Sequence, residues 1–243
     1  MATIYKGLTL DKFQEDAIAA MENNESVVVS APTGSGKTLT ADYIIDKYLK
    51  QKKRIVYTAP IKALSNQKYK DFSLEYGASN IGLMTGDIVI NPTAQILIMT
   101  TEIYRNMVMT GDESVKDIAY VVFDEVHYIN DIDRGTVWEE SIIYSPDSVR
   151  FLCLSATIPN AEEFAAWISA IKHHKVKTVK SDTRAVPLTH MFYDFELGIT
   201  DLNKLNKHLK AVKDMPSYDN VFKKRGRGRN GRNQRLTKPH TDH

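Results

Sequence analysis

One cysteine, Cys153, stands in 243 residues, so no internal disulfide can form. A single thiol suits a reducing compartment, and the expected location is the cytoplasm. No run approaches the roughly eighteen consecutive apolar residues of a membrane span, and the first residues, Met1 to Gly7, lack the apolar core of a secretory signal. A disulfide scaffold, an integral membrane protein and a secreted chain are therefore not expected. The sequence has no internal repeat. Its paired His173 and His174, with His240 and His243, have no cysteine beside them, which argues against a metal centre there.

What is present is an ordinary folded composition, 42% hydrophobic and 26% charged, in a length that suits one large domain or one domain with an appendage. The net charge of +2 conceals an asymmetry. Lys223, Lys224, Arg225, Arg227, Arg229, Arg232, Arg235 and Lys238 face Asp242 alone, so residues 222–243 carry +7 and residues 1–221 are left with −5. With three glycines and almost nothing apolar to bury, this tail is expected to be disordered and drawn to polyanions. A solubilising end is the plainer reading.

Short apolar runs rich in β-branched residues alternate with helical stretches. The strand candidates are 27–30, 54–59, 81–85, 95–100, 119–124, 149–155 and 175–179; helices are expected over 36–50, 61–75 and 160–171. The runs are continuous rather than alternating, as in strands covered on both faces. Asn160 followed by Glu163 reads as a helix start of the capping-box type. The fold class expected is α/β, built on a parallel sheet. Residues 188–195 read as one more strand. Ile199, Leu202, Leu205, Leu209 and Val212 then form an apolar stripe at helical spacing. This divides the chain into a main domain over 1–196, an amphipathic connector over 197–221 and the basic tail over 222–243.

Val27-Val28-Val29-Ser30 runs directly into Ala31-Pro32-Thr33-Gly34-Ser35-Gly36-Lys37-Thr38. A buried strand, a glycine turn and a helix start are the context in which such a loop cradles phosphates. Gly34 and Gly36 permit backbone conformations that aim successive N–H groups at one anion, and the helix adds its positive end. Lys37 supplies a cation for the β- and γ-phosphates, and Thr38 a hydroxyl for magnesium. Position 31 is Ala, where the general pattern has Gly.

A second strand ends at Asp124-Glu125-Val126-His127. Carboxylates there sit beside the loops where α/β proteins bind ligands. Asp124 suits a magnesium ion held through water, and Glu125 suits orienting and deprotonating the attacking water. Pro60 ends a strand on the same side. Thr58, Lys62, Ser65, Asn66 and Gln67 offer small donors and one cation for a sugar-phosphate backbone, and Thr101 and Arg105 lie four apart on one helical face. No base-reading cluster is evident, so strand binding should be sequence-tolerant. Taken singly these residues are equally consistent with helix caps and solvated faces.

The ordered motifs over residues 8–195 resemble a superfamily 2 helicase of the DEVH-box kind, and more closely the superkiller-type RNA helicases that assist the RNA exosome. The resemblance rests on Leu10–Gln14, the phosphate loop, Thr58–Gln67, Met84–Asp87, Thr100–Arg105, Asp124–His127, Arg134–Glu140, Ser155–Asn160 and Arg184–Leu188. It implies the first RecA-like motor domain, with ATP and Mg2+ as cofactors and single-stranded RNA as partner. It also implies 3′-to-5′ movement, RNA-decay partners of the exosome type, and a second motor domain not found here. Gln14 would sense adenine; Ala31 to Thr38 would hold nucleotide; Lys37, Asp124 and Glu125 would be catalytic, with Thr38 and Asp124 toward magnesium. Pro60, Lys62, Ser65, Asn66, Gln67, Thr101 and Arg105 would contact RNA, while His127, Ser155 and Thr157 would couple hydrolysis to movement. A non-catalytic RNA- and ATP-binding adaptor is the alternative, and a small-molecule kinase a third reading. On the enzyme reading, this chain alone should turn ATP over slowly.

Overall fold

The computed structural model describes residues 3–184, 186–195 and 197–213. The chain divides into two compact units, Met1–Val186 and Pro187–His243.

The first unit opens with an antiparallel hairpin, β1 (Ile4–Tyr5) and β2 (Leu8–Thr9), and α1 (Lys12–Glu22). The strand β3 (Ser26–Ser30), α2 (Thr38–Lys50), β4 (Arg54–Ala59), α3 (Lys62–Tyr76), β5 (Ile81–Met84) and the short β6 (Val89–Ile90) follow. Then come β7 (Ile96–Thr100), α4 (Thr101–Thr110), β8 (Ile118–Phe123), α5 (Thr136–Tyr144), β9 (Arg150–Ser155), α6 (Ala161–Lys172) and β10 (Val176–Lys180). The sheet order is β10-β3-β9-β8-β4-β7-β5-β6; every pairing is parallel except that of β6 on β5.

The continuous apolar runs explain the layering. Successive strand residues point to opposite faces, so each run supplies two cores. Val27, Val29, Ile55, Tyr57, Tyr120 and Val122 join the cluster beneath α1, α2 and α3. Val28, Val56, Val121, Phe123, Phe151 and Cys153 join the cluster beneath α4, α5 and α6. Trp138 is fully buried in the second. Cys153 is also fully buried, and desolvation pushes its thiol pKa up, so the thiolate is disfavoured.

The second unit contains a hairpin, β11 (Phe192–Asp194) against β12 (Gly198–Thr200), and α7 (Leu202–Lys213). The strand expected over 188–195 is confined to 192–194. Ile199 lies in β12 and not on the helix, and Leu202 and Leu209 remain about half exposed at 52% and 48%. The connector's last residues, 214–221, and the basic tail over 222–243 lie outside the described residues.

One local expectation is corrected. Asn160 precedes α6, but its side chain makes no capping hydrogen bond. The capping box forms at α1 instead, where Asp11 N–H donates to Gln14 Oε1 at 2.9 Å. Gln14 itself is only 4% exposed, where a glutamine on a helix surface would be solvated.

Candidate nucleotide site and strand-facing cleft

Strand register sets the site. Ser30 is level with Ser155 and Lys180, Phe123 with Cys153 and Thr58, and Ala59 with Thr100. Loops 31–37, 60–61, 124–125 and 156–160 therefore leave one edge of the sheet together, at the carboxyl ends where open α/β sheets bind ligands.

The phosphate loop is stitched to its neighbour in both directions: Ala31 N–H donates to Ser155 O at 3.2 Å, and Ile158 N–H to Ser30 Oγ at 3.0 Å. Gly34 and Gly36 hold φ of 81° and 83°, in the left-handed region that other residues enter only with strain. At Gly36 a Cβ would also meet Gln14 Nε2 at 2.9 Å. That amide donates to Gly36 O at 3.0 Å. Gln14 thus ties α1 to the phosphate loop, a link of which sequence spacing shows no sign.

Lys37 Nζ donates to Ala31 O at 2.8 Å and Pro32 O at 3.0 Å. Burial lowers its pKa, the Glu125 and Asp124 carboxylates counteract that, and Arg184 adds to the lowering. The ammonium therefore lies within the field of both carboxylates. Thr38 opens α2 with no side-chain cap and no acidic residue in its first turn, which leaves the first N–H groups available to an anion. Ser35 Oγ and Ser155 Oγ are buried without a hydrogen-bond partner among the described residues. Arg184 Nη1 reaches Thr33 O at 3.3 Å, so the first residue of the Arg184–Leu188 motif places a second cation at the loop, a contact the sequence reading did not assign to it.

Asp124 follows β8, its N–H bonded to Thr58 O at 3.0 Å. Its Oδ2 accepts from Tyr57 Oη at 2.5 Å and its Oδ1 from Glu125 N–H at 2.9 Å. Tyr57 is fully buried; desolvation first and Asp124 second keep its phenol protonated. Sequence reading missed this donor because Tyr57 sits in a core strand and looks like packing. Glu125 itself takes a left-handed backbone, φ 52° and ψ 43°. His127 Nδ1 lies 3.3 Å from Glu125 Oε2 without the alignment of a hydrogen bond. The Thr38 hydroxyl and the Asp124 and Glu125 carboxylates are hard oxygen donors of the kind magnesium prefers, with no soft ligand among them. Thr157, of the expected coupling trio, is exposed.

Further along the same edge a cleft of about 450 Å³ is lined by Pro60, Ile61, Lys62, Gly86, Thr100 and Ile103, with Glu102 and Arg134 completing the wall. Lys62 is exposed and ion-paired with Asp87, and Arg105 pairs with Glu140 at 3.2 Å. Asn66 is half-buried and Gln67 exposed. Two of the expected strand contacts do not face this surface. Ser65 is fully buried and turns its hydroxyl back along α3 to Ile61 O at 3.4 Å; Thr101 is fully buried, and its Oγ1 has no partner among the described residues. Thr58 likewise points inward, to Val122 O at 3.3 Å. Hydrophobic neighbours on α3 and α4 decide these orientations, and short motifs do not display them. Of the histidines suggested by pattern, His174 is engaged with Ser26 and Arg150 at the opposite end of the strands.

Residues 11–164 match the family described as DEAD/DEAH box helicase. The chain belongs to that family. It is 52% identical over 190 residues to the DExH-box ATP-dependent RNA helicase DExH9 of Arabidopsis thaliana, covering 78% of this chain and 19% of that protein. It is 50% identical over 184 residues to the exosome RNA helicase MTR4 of Homo sapiens, covering 76% and 18%, and 49% identical over 183 residues to the human superkiller complex protein 2, covering 75% and 14%. The chain thus spans less than a fifth of the length of these relatives. Among solved structures, the DUF1998 helicase MrfA bound to DNA aligns with a TM-score of 0.56 at 22% identity over 71% of this chain and 27% of that one, a likeness of fold. Membership of the helicase family implies use of a nucleoside triphosphate, and the DExH RNA helicases carry the resemblance seen in the motifs.

Proposed function

We propose that this chain is the first motor domain of an ATP-dependent RNA helicase, with residues 1–196 as the ATP-binding domain. It binds ATP on the loop Ala31–Thr38, with Gln14 sensing the base, and hydrolyses it with Glu125 as the base for water. It holds single-stranded RNA, sequence-tolerantly, along the cleft at Pro60 and Lys62 with Asn66, Gln67 and Arg105. Strand movement is 3′-to-5′, His127, Ser155 and Thr157 couple it to hydrolysis, and the compartment is the cytoplasm. A second motor domain and RNA-decay factors of the exosome type are the expected partners.

The observation that supports this best is the register that brings Lys37, Asp124 and Glu125 to one strand edge within electrostatic reach. On binding, Lys37 exchanges the Ala31 and Pro32 carbonyls for phosphate oxygens. Thr38 and Asp124 would hold magnesium, which neutralises phosphate charge when bound. Tyr57 keeps Asp124 aimed, and the left-handed turn at Glu125 turns its carboxylate away from the strand direction. Buried, the Thr101 and Ser65 hydroxyls serve the cleft by positioning its walls rather than by touching RNA.

A second reading, a non-catalytic adaptor binding ATP and RNA, draws on the cleft's cations being already paired with carboxylates. Steady-state ATPase activity, with and without single-stranded RNA and beside Glu125→Gln, separates the two. The helicase reading expects slow turnover that RNA raises and Glu125→Gln removes. Binding of both ligands with no turnover above that variant would favour the adaptor.

A further inference from the structure

Arg134 and its partner Glu102 belong to the wall of the strand-facing cleft, and the contacts of Arg134 reach three segments. Its Nη2 donates to Pro60 O at 2.6 Å, at the loop leaving β4. The same nitrogen is ion-paired with Glu102 in the first turn of α4. Its guanidinium lies 5.8 Å from the centre of the Trp138 ring. One side chain therefore joins the two segments that frame the cleft.

The backbone that carries Arg134 leads straight back to the carboxylate pair. Tyr128 N–H donates to Glu125 O at 3.1 Å, Asp131 N–H to Tyr128 O at 2.9 Å, and Gly135 N–H to Asp131 O at 2.8 Å. Asp131 Oδ1 also accepts from Asp133 N–H at 3.0 Å and Arg134 N–H at 2.9 Å. A Cβ at Gly135 would lie 2.2 Å from Ile129 O, so the coil is closed on itself without room for a side chain. Residues 130–133 are exposed, so what links the coil from Glu125 to Gly135 is this run of local hydrogen bonds and the close packing at Gly135.

We propose that Arg134 is a positioning residue through which the state of the nucleotide at Glu125 sets the spacing of Pro60 and Glu102, and thereby the grip on the strand. A shift of Glu125 as the γ-phosphate comes or goes is carried along the coil to the guanidinium. The fork then draws the β4 exit loop and the start of α4 together or lets them part. A lysine could keep the charge opposite Glu102 but lacks the planar fork that holds two acceptors at fixed angles. This inference rests on the nucleotide- and strand-binding reading above.

The test is a fluorescence anisotropy titration of a labelled twelve-uridine RNA into the full chain, with and without saturating AMP-PNP and magnesium. Arg134→Gln, Arg134→Lys and Glu102→Gln are compared, with melting curves confirming that each is folded. Wild type should bind the RNA at least about fivefold tighter with nucleotide, the lower range of coupling between sites. Reciprocity then requires RNA to tighten AMP-PNP by the same factor. In Arg134→Gln and Glu102→Gln that factor should fall toward one while AMP-PNP alone binds within about threefold of wild type, and Arg134→Lys should lie between. A direct contact with RNA would weaken RNA binding equally with and without nucleotide and leave the factor unchanged. A merely structural role would weaken both affinities and leave their ratio alone. An unchanged factor in both neutralised variants, or no coupling in wild type, overturns the role of Arg134. Failure of wild type to bind RNA at all would instead remove the strand-binding reading on which it rests.

Discussion

The two ends of one sheet edge solve the problem of holding charge differently. At the β3–β9–β8 end, Lys37 rests on two neutral carbonyls, Asp124 on a phenol and a backbone N–H, and two buried serine hydroxyls have no partner among the described residues. At the β4–β7–β5 end, Lys62 and Arg105 each face a carboxylate. A phosphate arriving at the first end displaces only dipoles, whereas one arriving at the second must compete with an anion. On the proposed reading, the nucleotide end is built in advance, whereas at the strand end Lys62 and Arg105 each keep an acidic partner that RNA would have to displace. The exposed Lys62–Asp87 pair contributes little, about 0–1 kcal/mol, so opening it for a phosphate costs little; the Arg105–Glu140 pair is half-buried.

Five changes break or sharpen this contrast. The largest effect belongs to Glu125→Gln. Loss of a general base should lower turnover by about 10²–10⁴ while ATP affinity stays within a few-fold, measured by single-turnover hydrolysis beside equilibrium binding. Tyr57→Phe removes a buried donor from a charged acceptor. It should cost about 1.5–3 kcal/mol of stability in urea unfolding, and it should reduce turnover more than ATP binding.

Asp42 gives a smaller effect on the helix behind the phosphate loop. Burial raises its pKa from 3.8 to about 6, opposed by Lys6 and Lys68 and assisted by Glu75. The folded chain therefore holds this proton more tightly than the unfolded one, so stability falls as pH rises from about 4 to about 6. Asp42→Asn should flatten that part of the pH profile of the melting temperature. The smallest change belongs to the strand end. Asp87→Asn frees Lys62 and should tighten RNA binding about two- to threefold at low salt, the opposite of what removing an RNA-binding side chain would do. Lys62→Gln should lessen the salt dependence, by a slope of about 0.7 for each single-strand phosphate that is no longer neutralised.

The seven parallel strands were legible in the sequence to within a residue or so; the six inner ones each feed two cores at once, which demands apolar character on both faces, while the edge strand β10 alternates. The phosphate loop and the Asp124–Glu125 pair were legible because their chemistry requires particular residues in a fixed local order. Direction of side chains was not. Ser65 and Thr101 carry the right polarity, but the packing of α3 and α4 turns them inward. Gln14 meets Gly36 across 22 residues and Arg134 meets Pro60 across 74, and neither pair has a periodicity to announce it. Ile199 fitted a helical stripe and lies in a strand, because a stripe of five residues does not say where its helix begins.

Equilibrium titration of ATP with magnesium into this chain, beside Lys37→Ala and Glu125→Gln, tests the assigned roles most directly. Binding should weaken roughly 10- to 150-fold in Lys37→Ala, the loss of a hydrogen bond to a charged group, and persist in Glu125→Gln. Equal loss in both variants, or no binding by the unaltered chain, would contradict the division of labour between the loop that holds phosphate and the carboxylate that acts on water.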